Sequence, residues 1–383
     1  MVVRRSISPE DESSVSLPSL LLADILDQSD NVYSDIAHYT KYLKEVQGKG
    51  RKFLEEHNRI KKVDRSVEIP LNKISGVDGA YVINRTIAAD IYIIASLLLA
   101  DKEIKPRTQV FSLPPSEHST RIAQGMMSIL EILSMCDSSN DLIIYDGSFV
   151  TPLIKLNSLY TDFNKNSTDF KFTVQRTQIE TTMDSFRHSD AFARLIKSGK
   201  VIAVPKESGS SNYSTKLLKD LGENKGYRLV DKLLLSGILN PGEYVITNFE
   251  YDQLHLPSSG DTGLDPDGFT FDYGKEIVEA LRALKVMYIK PHSWAPAQRV
   301  EFFGDIGQKQ IDILAATICS LFISPSIIEP YPLFISDRIC KSISESANAI
   351  SSSTLLKMAE GPDSQYFSSD DLQWIMRAYR TEV

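Results

Sequence analysis

The hydrophobic positions of this 383-residue chain change their period along the sequence, and each change predicts a different element. From Tyr33 to Val63, apolar residues at helical spacing among many charges predict a helix that packs beside the main domain. From Ile74 onward, β-branched and aromatic residues in GAYVI, in the run after it and in TQVFSL predict three consecutive strands. The chain is therefore expected to pass from a helical segment into a sheet.

A helix and a fourth strand are predicted next. No proline interrupts the stretch from about Glu117 to Met135. Its apolar residues fall on one helical face: Ile122, Met126, Ile129, Leu130 and Leu133. The run DLIIYD, Asp141 to Asp146, has the length of a buried strand and ends at Gly-Ser. The predicted order is therefore three strands, a helix and a fourth strand. Ribonuclease H-like folds have this order, and in them the fourth strand can lie parallel beside the first.

The second half of the chain alternates helices and strands, which indicates an α/β domain. Helices are predicted near Thr181 to Lys197, Tyr213 to Leu221, Gln308 to Ser324 and Leu333 to Ser344, and strands at KVIAVPK, EYVITNF, ALKVMYI and QRVEFFG. The turn-rich stretch PSSGDTGLDPDGFTFDYG predicts an exposed loop or hairpin connection. We predict an α/β fold with a ribonuclease H-like mixed sheet flanked by helices, an N-terminal helical arm and a helical C-terminal part.

The patterning divides the chain into four segments. Residues 1–30, rich in Ser, Asp and Glu, are expected to form a mobile arm, and residues 31–70 an N-terminal helical segment. The main domain is expected over residues 71–350, and a helical tail over residues 351–383.

Composition excludes several classes of protein. The 42% hydrophobic and 24% charged residues indicate a globular chain with a sizeable core. Three cysteines without a CxxC pair support neither a disulfide framework nor a thiolate zinc site, and they indicate a reducing compartment. The longest apolar run, Ile91 to Ala100, is about half of a membrane span. The N-terminus lacks the apolar stretch of a secretory signal, so we expect a cytoplasmic protein with no membrane segment.

Charge and motifs narrow the chemistry further. A net charge of −8 argues mildly against non-specific wrapping of nucleic acid, which needs clustered Lys and Arg. It does not exclude a nuclease, because active-site carboxylates add negative charge and a partner or a local channel can supply the attraction. The sequence has no HxH, HExxH, GxSxG, Walker A or GxGxxG motif, so zinc, serine-hydrolase and nucleotide-hydrolysing sites are not expected.

Three carboxylates form the most informative arrangement. Asp78 in VDGAY and Asp146 in YDGS each lie between a predicted strand and a Gly turn, and Glu131 is in the middle of the predicted helix. If the fourth strand pairs with the first, the two aspartates come together and the glutamate faces them. Oxygen ligands suit hard cations, and two such cations about 3.5–4 Å apart can promote phosphodiester hydrolysis. An Asp-Gly pair is also an ordinary turn, so spacing alone leaves a structural role open.

Six blocks of the sequence resemble, in order, the motifs of NurA nucleases. They are GVDGAYV, LIIYDGSFV, VIAVPKES, PGEYV, QRVEFF and YPLFISDRI, between about Ile74 and Ser344. The resemblance implies a Piwi-like, ribonuclease H-like nuclease domain over residues 71–350 that cleaves DNA with Mn²⁺ or Mg²⁺ bound in a two-metal site. It also implies a homodimer and a HerA-type hexameric ATPase as partner.

The resemblance also implies roles for single residues. Asp78, Glu131 and Asp146 match the family's metal-binding carboxylates. Lys206 in VPKES matches a family lysine at a strand end, where its ammonium could steady the scissile phosphate. A solvated strand-end lysine is the alternative.

The last block departs from the family pattern. The family commonly has Tyr-Pro-x-Pro-Leu followed by His, whereas Glu329 stands at the Tyr position here and Asp337 at the His position. Asp337 can serve as a fourth carboxylate ligand, with a harder oxygen preference than imidazole, or it can be a carboxylate on a helix surface. The replacement puts the metal preference and the level of activity in question.

We interpret the sequence as that of a metal-dependent DNA exonuclease or endonuclease that works with a HerA-type ATPase in DNA end processing or phage defence. Arg121, Lys155 and Arg299 are further candidates for contacts with DNA phosphates. Two alternatives stay open. The chain could be a catalytically impaired DNA-binding or assembly subunit of the ATPase complex, or a metal hydrolase of RNA or nucleotides on the same fold.

Overall fold

The computed structural model describes residues 29–101, 103–165, 174–206, 208–223, 228–248, 274–304, 306–362, 364–366, 368 and 378–382. The N-terminal arm expected over residues 1–30 lies outside these residues except for its last two. The turn-rich stretch predicted as a loop, residues 257–274, lies outside them except for Gly274.

The described strands form one mixed sheet. Their bounds are β1 Lys61–Lys62, β2 Ile74–Thr86, β3 Asp90–Ala100, β4 Glu103–Leu113, β5 Leu142–Tyr145, β6 Val201–Ala203, β7 Glu243–Asn248, β8 Lys285–Lys290, β9 Gln298–Phe302 and β10 Ala378–Glu382. The order across the sheet is β1-β7-β8-β9-β6-β5-β2-β3-β4, and β10 pairs with β2.

The centre of the sheet has the predicted connections. Strands β2, β3 and β4 form an antiparallel meander, and β5 returns parallel to β2, with Val77 opposite Tyr145. Strand β6 then continues parallel to β5. The predicted element order and the parallel pairing of the fourth strand with the first are confirmed.

Helices cover both faces of the sheet. Their bounds are α1 Ser29–Glu56, α2 Ser119–Cys136, α3 Val150–Lys165, α4 Val174–His188, α5 Ala191–Ser198, α6 Asn212–Asp220, α7 Asp231–Ile238, α8 Gly274–Arg282, α9 Gln308–Ser320, α10 Tyr331–Lys341 and α11 Ile343–Glu360. Short 3₁₀ turns lie at Leu71–Lys73 and Ser364–Tyr366. Successive residues of a strand point to opposite faces. Ile143 accordingly packs in one hydrophobic core with residues of α2 and α3. Ile144 packs in a second hydrophobic core with residues of α9 and α10.

Several elements differ from the prediction. The helix expected from Thr181 to Lys197 is two helices, α4 and α5, because Asp190 between them adopts a left-handed conformation with φ 47°. Helix α3 was not predicted, and it accommodates Pro152 in its first turn, where the missing N–H leaves no hydrogen bond unmade.

The C-terminal tail was expected to be helical over residues 351–383. Among its described residues, α11 ends at Glu360, a 3₁₀ turn follows at Ser364–Tyr366, and Ala378–Glu382 form a strand. Strand β5 pairs with β2 only over residues 74–77, whereas β10 pairs with residues 83–86 of β2. The tail therefore supplies hydrogen bonds to the part of β2 that extends beyond β5.

Among the described helices, none combines the length and the hydropathy that crossing a membrane requires.

Candidate active site

Two of the predicted aspartates meet where β5 ends beside β2. Asp146 directly follows β5, as predicted, but the prediction that Asp78 lies between a strand and a Gly turn is wrong, because β2 runs through Asp78 and Gly79 to Thr86. Val77 of β2 is opposite Tyr145 of β5, and the N–H of Asp146 donates to the carbonyl of Val77 at 3.1 Å. This register brings Asp78 and Asp146 side by side. One carboxylate oxygen from each, together with one from Asp337, lie within 4.8 Å of one another.

Helix α10 brings Asp337 to this place by packing directly on β2. A Cβ on Gly76 would lie only 2.6 Å from the carbonyl oxygen of Pro332, so the close approach requires glycine. One turn on, the hydroxyl of Ser336 donates to the carbonyl of Gly76 at 3.3 Å. The thiol of Cys340 lies 3.2 Å from the carbonyl oxygen of Asp78. Asp337 is therefore held toward Asp78 and Asp146. The alternative, a carboxylate on an exposed helix surface, does not describe its position.

Helix α2 brings Glu131 in from the other face of the sheet. Its side chain is buried, and the hydroxyl of Tyr145 donates to its Oε2 at 3.2 Å. Burial raises the pKa of Glu131 to about 7, although the charge of Lys155 and the Tyr145 hydroxyl act in the opposite direction. The predicted helical glutamate thus faces the cluster and not solvent.

Lys206 lies inside the carboxylate cluster. Its Nζ is 2.8 Å from Oδ2 of Asp146, 3.1 Å from Oδ1 of Asp337 and 4.0 Å from Oδ2 of Asp78. It also lies 3.0 Å from Oε2 of Glu329. Burial by itself would lower the pKa of Lys206, but the carboxylates, Asp146 first, outweigh burial and raise it. The ammonium is therefore fully charged at neutral pH.

The cluster carries more negative charge than Lys206 neutralises. Burial, and then the charges of Asp146 and Glu131, raise the pKa of Asp78 well above its usual range. The pKa of Asp337 is lowered: burial would raise it, but Lys341, with Nζ 2.9 Å from Oδ1, and Lys206 prevail. A bound cation would relieve the repulsion among the sheet aspartates, and their hard oxygen atoms suit Mn²⁺ or Mg²⁺.

Asp78, Glu131 and Asp146 line a cleft of about 940 Å³, whose walls also carry cationic side chains. Lys155 of α3 and Arg228 line it, together with the loop at residues 208–211 and the first residue of α6. Lys155 was one of three basic residues proposed to touch phosphates. Arg121 is instead paired with Asp162, with Nη1 3.3 Å from Oδ2.

Arg299, the third of these basic residues, is not a surface cation. It lines the cleft but is only 6% exposed, and its guanidinium is paired with the buried carboxylate of Glu301. Glu301 was not among the site residues predicted from the sequence. The available signal was the presence of two charged residues, Arg299 and Glu301, at alternate positions of the strand QRVEFF, since residues i and i+2 share a face of the sheet.

Comparison with known proteins identifies the family. The NurA domain model matches residues 72–341. The chain belongs to the NurA family. Among solved structures, the NurA nuclease from Sulfolobus solfataricus is similar with a TM-score of 0.56 and 17% identity, covering 88% of this chain and 98% of that one. At this identity the likeness shows the fold. No curated protein matches the sequence.

Two further NurA structures are similar to this chain. A NurA bound to dAMP and manganese has a TM-score of 0.48 and 11% identity, over 80% of this chain and 92% of that one. A NurA with manganese has a TM-score of 0.48 and 13% identity, over 83% and 97%.

The NurA match spans the whole carboxylate cluster. It begins before β2 and ends at Lys341, the last residue of α10. Helix α1, strand β1, helix α11 and strand β10 lie outside it. The sequence departs from the expected NurA pattern at two positions, Glu329 and Asp337. Both of these carboxylates contact the ammonium of Lys206.

Proposed function

We propose that this NurA-family protein is a metal-dependent nuclease that hydrolyses phosphodiester bonds of DNA. The observation that carries the proposal is the meeting of Asp78, Asp146 and Asp337, whose carboxylate oxygens lie within 4.8 Å of one another. These residues are far apart in sequence, and three different elements bring them together. A buried cluster of like charges is costly unless a counter-charge accompanies it.

The donor set fits Mn²⁺ or Mg²⁺, with Asp78, Asp146 and Asp337 as ligands and Glu131 beside them for a two-metal arrangement. When bound, such cations activate the attacking water and stabilise the leaving oxygen of a phosphodiester. Replacement of the family's His by Asp337 makes the set entirely oxygen-based, which favours Mg²⁺ and Mn²⁺ over softer metals.

The remaining groups orient the ligands and bind charge. The ammonium of Lys206, fixed by Asp146, Glu329 and Asp337, is placed to donate to a non-bridging phosphate oxygen and to stabilise the developing charge. Tyr145 holds the carboxylate of Glu131 through its hydroxyl.

The cleft favours a polyanionic substrate. Lys155 and Arg228 place positive charge on its walls beside the carboxylates, which suits a phosphate backbone that runs along the cleft. Membership of the NurA family supports DNA as the substrate. Hydrolysis of RNA or of nucleotides and DNA binding without cleavage are the competing functions.

The wider proposal is that the protein acts in the cytoplasm as a homodimer with a HerA-type hexameric ATPase, in DNA end processing or phage defence. Family membership supports this part. Light scattering of the purified protein, alone and with the ATPase encoded nearest to it, tests both associations. A monomer that does not bind the ATPase at micromolar concentration would contradict them.

The central experiment is Mn²⁺-dependent cleavage of end-labelled linear DNA and of a matched RNA, each with and without the ATPase. Wild type should cut DNA, and Asp78→Ala should not, while its folding is unchanged. Asp64→Ala removes an exposed carboxylate outside the cluster and is the matched control. Cleavage by Asp78→Ala at the wild-type rate, or no cleavage by wild type in any condition, would refute the nuclease proposal. Faster cleavage of RNA than of DNA would mean that RNA, and not DNA, is the substrate.

A further inference from the structure

Strand β9 contributes a buried ion pair behind the carboxylate cluster. Arg299 and Glu301 share one face of the strand and are 6% and 0% exposed. Nε and Nη2 of the guanidinium each lie 2.8 Å from Oε1 of the carboxylate. A buried ion pair is weak evidence for stability, because desolvation offsets the Coulombic gain. The groups that the pair contacts indicate its role more directly.

The second oxygen of Glu301 holds the turn that follows Asp146. Its Oε2 accepts from the hydroxyl of Ser148 at 2.8 Å and from the N–H of Phe149 at 3.0 Å. This turn leads directly into α3. Glu301 therefore holds the Ser148 side chain and the Phe149 backbone, two and three residues after a proposed metal ligand.

The loop that carries Lys206 is held from its other side by the first turn of α7. Nζ of Lys232 donates to the carbonyl of Lys206 at 2.8 Å. Asp231 accepts from the hydroxyl of Ser210 at 2.9 Å, and its N–H donates to the carbonyl of the same serine at 2.8 Å. Both ends of the segment 206–210 are thus tied to α7.

Arg299 connects the two loops. Its Nη1 lies 3.5 Å from the hydroxyl of Tyr288 and 3.5 Å from that of Ser208. The hydroxyl of Tyr288 in turn donates to Asp231 at 2.7 Å. A continuous polar path therefore runs from the turn after β5, through β9 and β8, to the loop after β6.

We propose that Arg299 and Glu301, called here the β9 ion pair, are positioning residues that hold the Asp146 turn and the Lys206 loop at a fixed separation. The inference rests on the proposed function, since those two loops carry a proposed metal ligand and the proposed phosphate-binding lysine. The 2.8 Å contact between Lys206 and Asp146 joins side chains on two separate loops, so its length depends on both loops being held.

The test compares two glutamates with matched surroundings. Glu301 accepts from an arginine and a backbone N–H, and Glu243 likewise accepts from Arg51 and from the N–H of Asn240 at 2.8 Å. Glu243 lies on β7 and does not line the cleft. Glu301→Gln and Glu243→Gln therefore make the same chemical change, the first beside the proposed site and the second away from it.

The first readout is hydrogen exchange, which does not depend on activity. Glu301→Gln should speed exchange at least about tenfold in peptides covering residues 146–150 and 206–212, because their hydrogen-bond partners are weakened. Glu243→Gln should leave both segments unchanged. Unchanged exchange in both segments of folded Glu301→Gln would overturn the inference.

The second readout is the kinetics of DNA cleavage. Glu301→Gln should lower kcat by roughly 100-fold, the size of effect that a small misplacement of reacting groups produces, with KM changed by less than about threefold. Glu243→Gln should keep the wild-type kcat. Equal kcat for the two variants and wild type would overturn the inference. If exchange changes as expected but wild type cuts nothing, the positioning role stands and the nuclease proposal fails.

A second variant covers the case in which Glu301→Gln leaves Arg299 as an unpaired buried charge and does not fold. Arg299→Met combined with Glu301→Gln removes both charges and keeps an acceptor for Ser148 and Phe149. This double variant should show fast exchange in both segments, because the acceptor for Ser148 and Phe149 is weakened as in Glu301→Gln and the contacts of Arg299 with Ser208 and Tyr288 are lost. Slow exchange in both segments would overturn the connecting role of Arg299.

Discussion

A Cβ atom on Gly79 would lie 2.7 Å from Oε1 of Glu131. Cβ atoms are essentially never found that close to another heavy atom, and this Cβ would also lie 2.7 Å from Cγ of Met127. The close packing of α2 on β2 at this point therefore depends on residue 79 having no side chain. The Asp-Gly pair in β2 therefore has two functions. Its aspartate belongs to the carboxylate cluster, and its glycine makes room for the glutamate that faces the cluster from the helix.

Gly79→Ala should therefore destabilise the fold and abolish cleavage. Overpacking of this kind costs about 1–3 kcal/mol, and it displaces Glu131 from the site. Gly48→Ala is the matched control: Gly48 is an exposed position of α1, a Cβ there would have no neighbouring group within 4 Å, and alanine is the better helix former by about 1 kcal/mol. Urea unfolding measures both changes. A Gly79→Ala protein as stable and as active as wild type would show that α2 does not rest on β2 in this way.

Repulsion among buried carboxylates leads to a prediction about the metal-free protein. Asp78 is 7% exposed, and burial and the charges of Asp146 and Glu131 raise its pKa. Asp78→Asn should raise the Tm of the chelator-treated protein by about 2 °C or more and remove most of the further rise that Mn²⁺ gives wild type. Differential scanning calorimetry in EDTA and in Mn²⁺ measures both effects. Asp64→Asn should change neither, and a lower metal-free Tm for Asp78→Asn would contradict the repulsion.

Lys206 is expected to have opposite effects on metal binding and turnover. Its ammonium lies among the proposed ligands, so Lys206→Met should raise the affinity for Mn²⁺ by about tenfold, or 1.4 kcal/mol, through loss of like-charge repulsion. The same change should lower kcat at least about 100-fold, because a donor to the phosphate is lost. Titration calorimetry and cleavage kinetics separate the two. Lys73→Met, which breaks an exposed pair with Asp141, is the control for a lysine outside the cluster. Weaker Mn²⁺ binding by Lys206→Met would contradict the assignment.

The pair between Arg51 of α1 and Glu243 of β7 should make stability depend on pH. Burial would raise the pKa of Glu243, but hydrogen bonds from Arg51 and the N–H of Asn240 outweigh it and hold the pKa below the usual value of 4.5. A depressed pKa contributes stability that is present above the unfolded-state pKa and is lost as the pH falls through the folded-state value. Glu243→Gln should therefore cost about 2 kcal/mol at pH 7 and progressively less below about pH 4.

Urea unfolding of wild type and Glu243→Gln from pH 7 to pH 3 gives the difference directly. Lys52 and Glu56, an exposed pair on the same helix 3.9 Å apart, offer a comparison, since Glu56→Gln should change stability by less than about 0.5 kcal/mol. A cost for Glu243→Gln that does not vary with pH would mean that the carboxylate charge is not what stabilises this contact.

The sequence predicted the centre of the fold well because the decisive signals there are local. The alternation in β2 to β4, the helical face of α2 and the short apolar run of β5 are each visible within one element. Their order constrained the topology to few possibilities, and with it the meeting of Asp78 and Asp146. Where the local signal was ambiguous, the prediction was wrong or missing: Asp190 splits a predicted helix, and Pro152 obscured α3.

By itself, the sequence determined that Asp146 follows a short buried strand and that Glu131 lies in a helix, because periodicity and chain order are properties of neighbouring residues. It did not show that the strand carrying Asp78 continues through Gly79 to Thr86. Only the tertiary structure decided which charges meet. Glu301 reaches Ser148 across 153 positions, and Lys206 meets Asp146, Glu329 and Asp337, which are distant from it in the sequence. Burial and ion pairing act between residues that are close in space, whatever their separation in sequence, and no local pattern records that closeness.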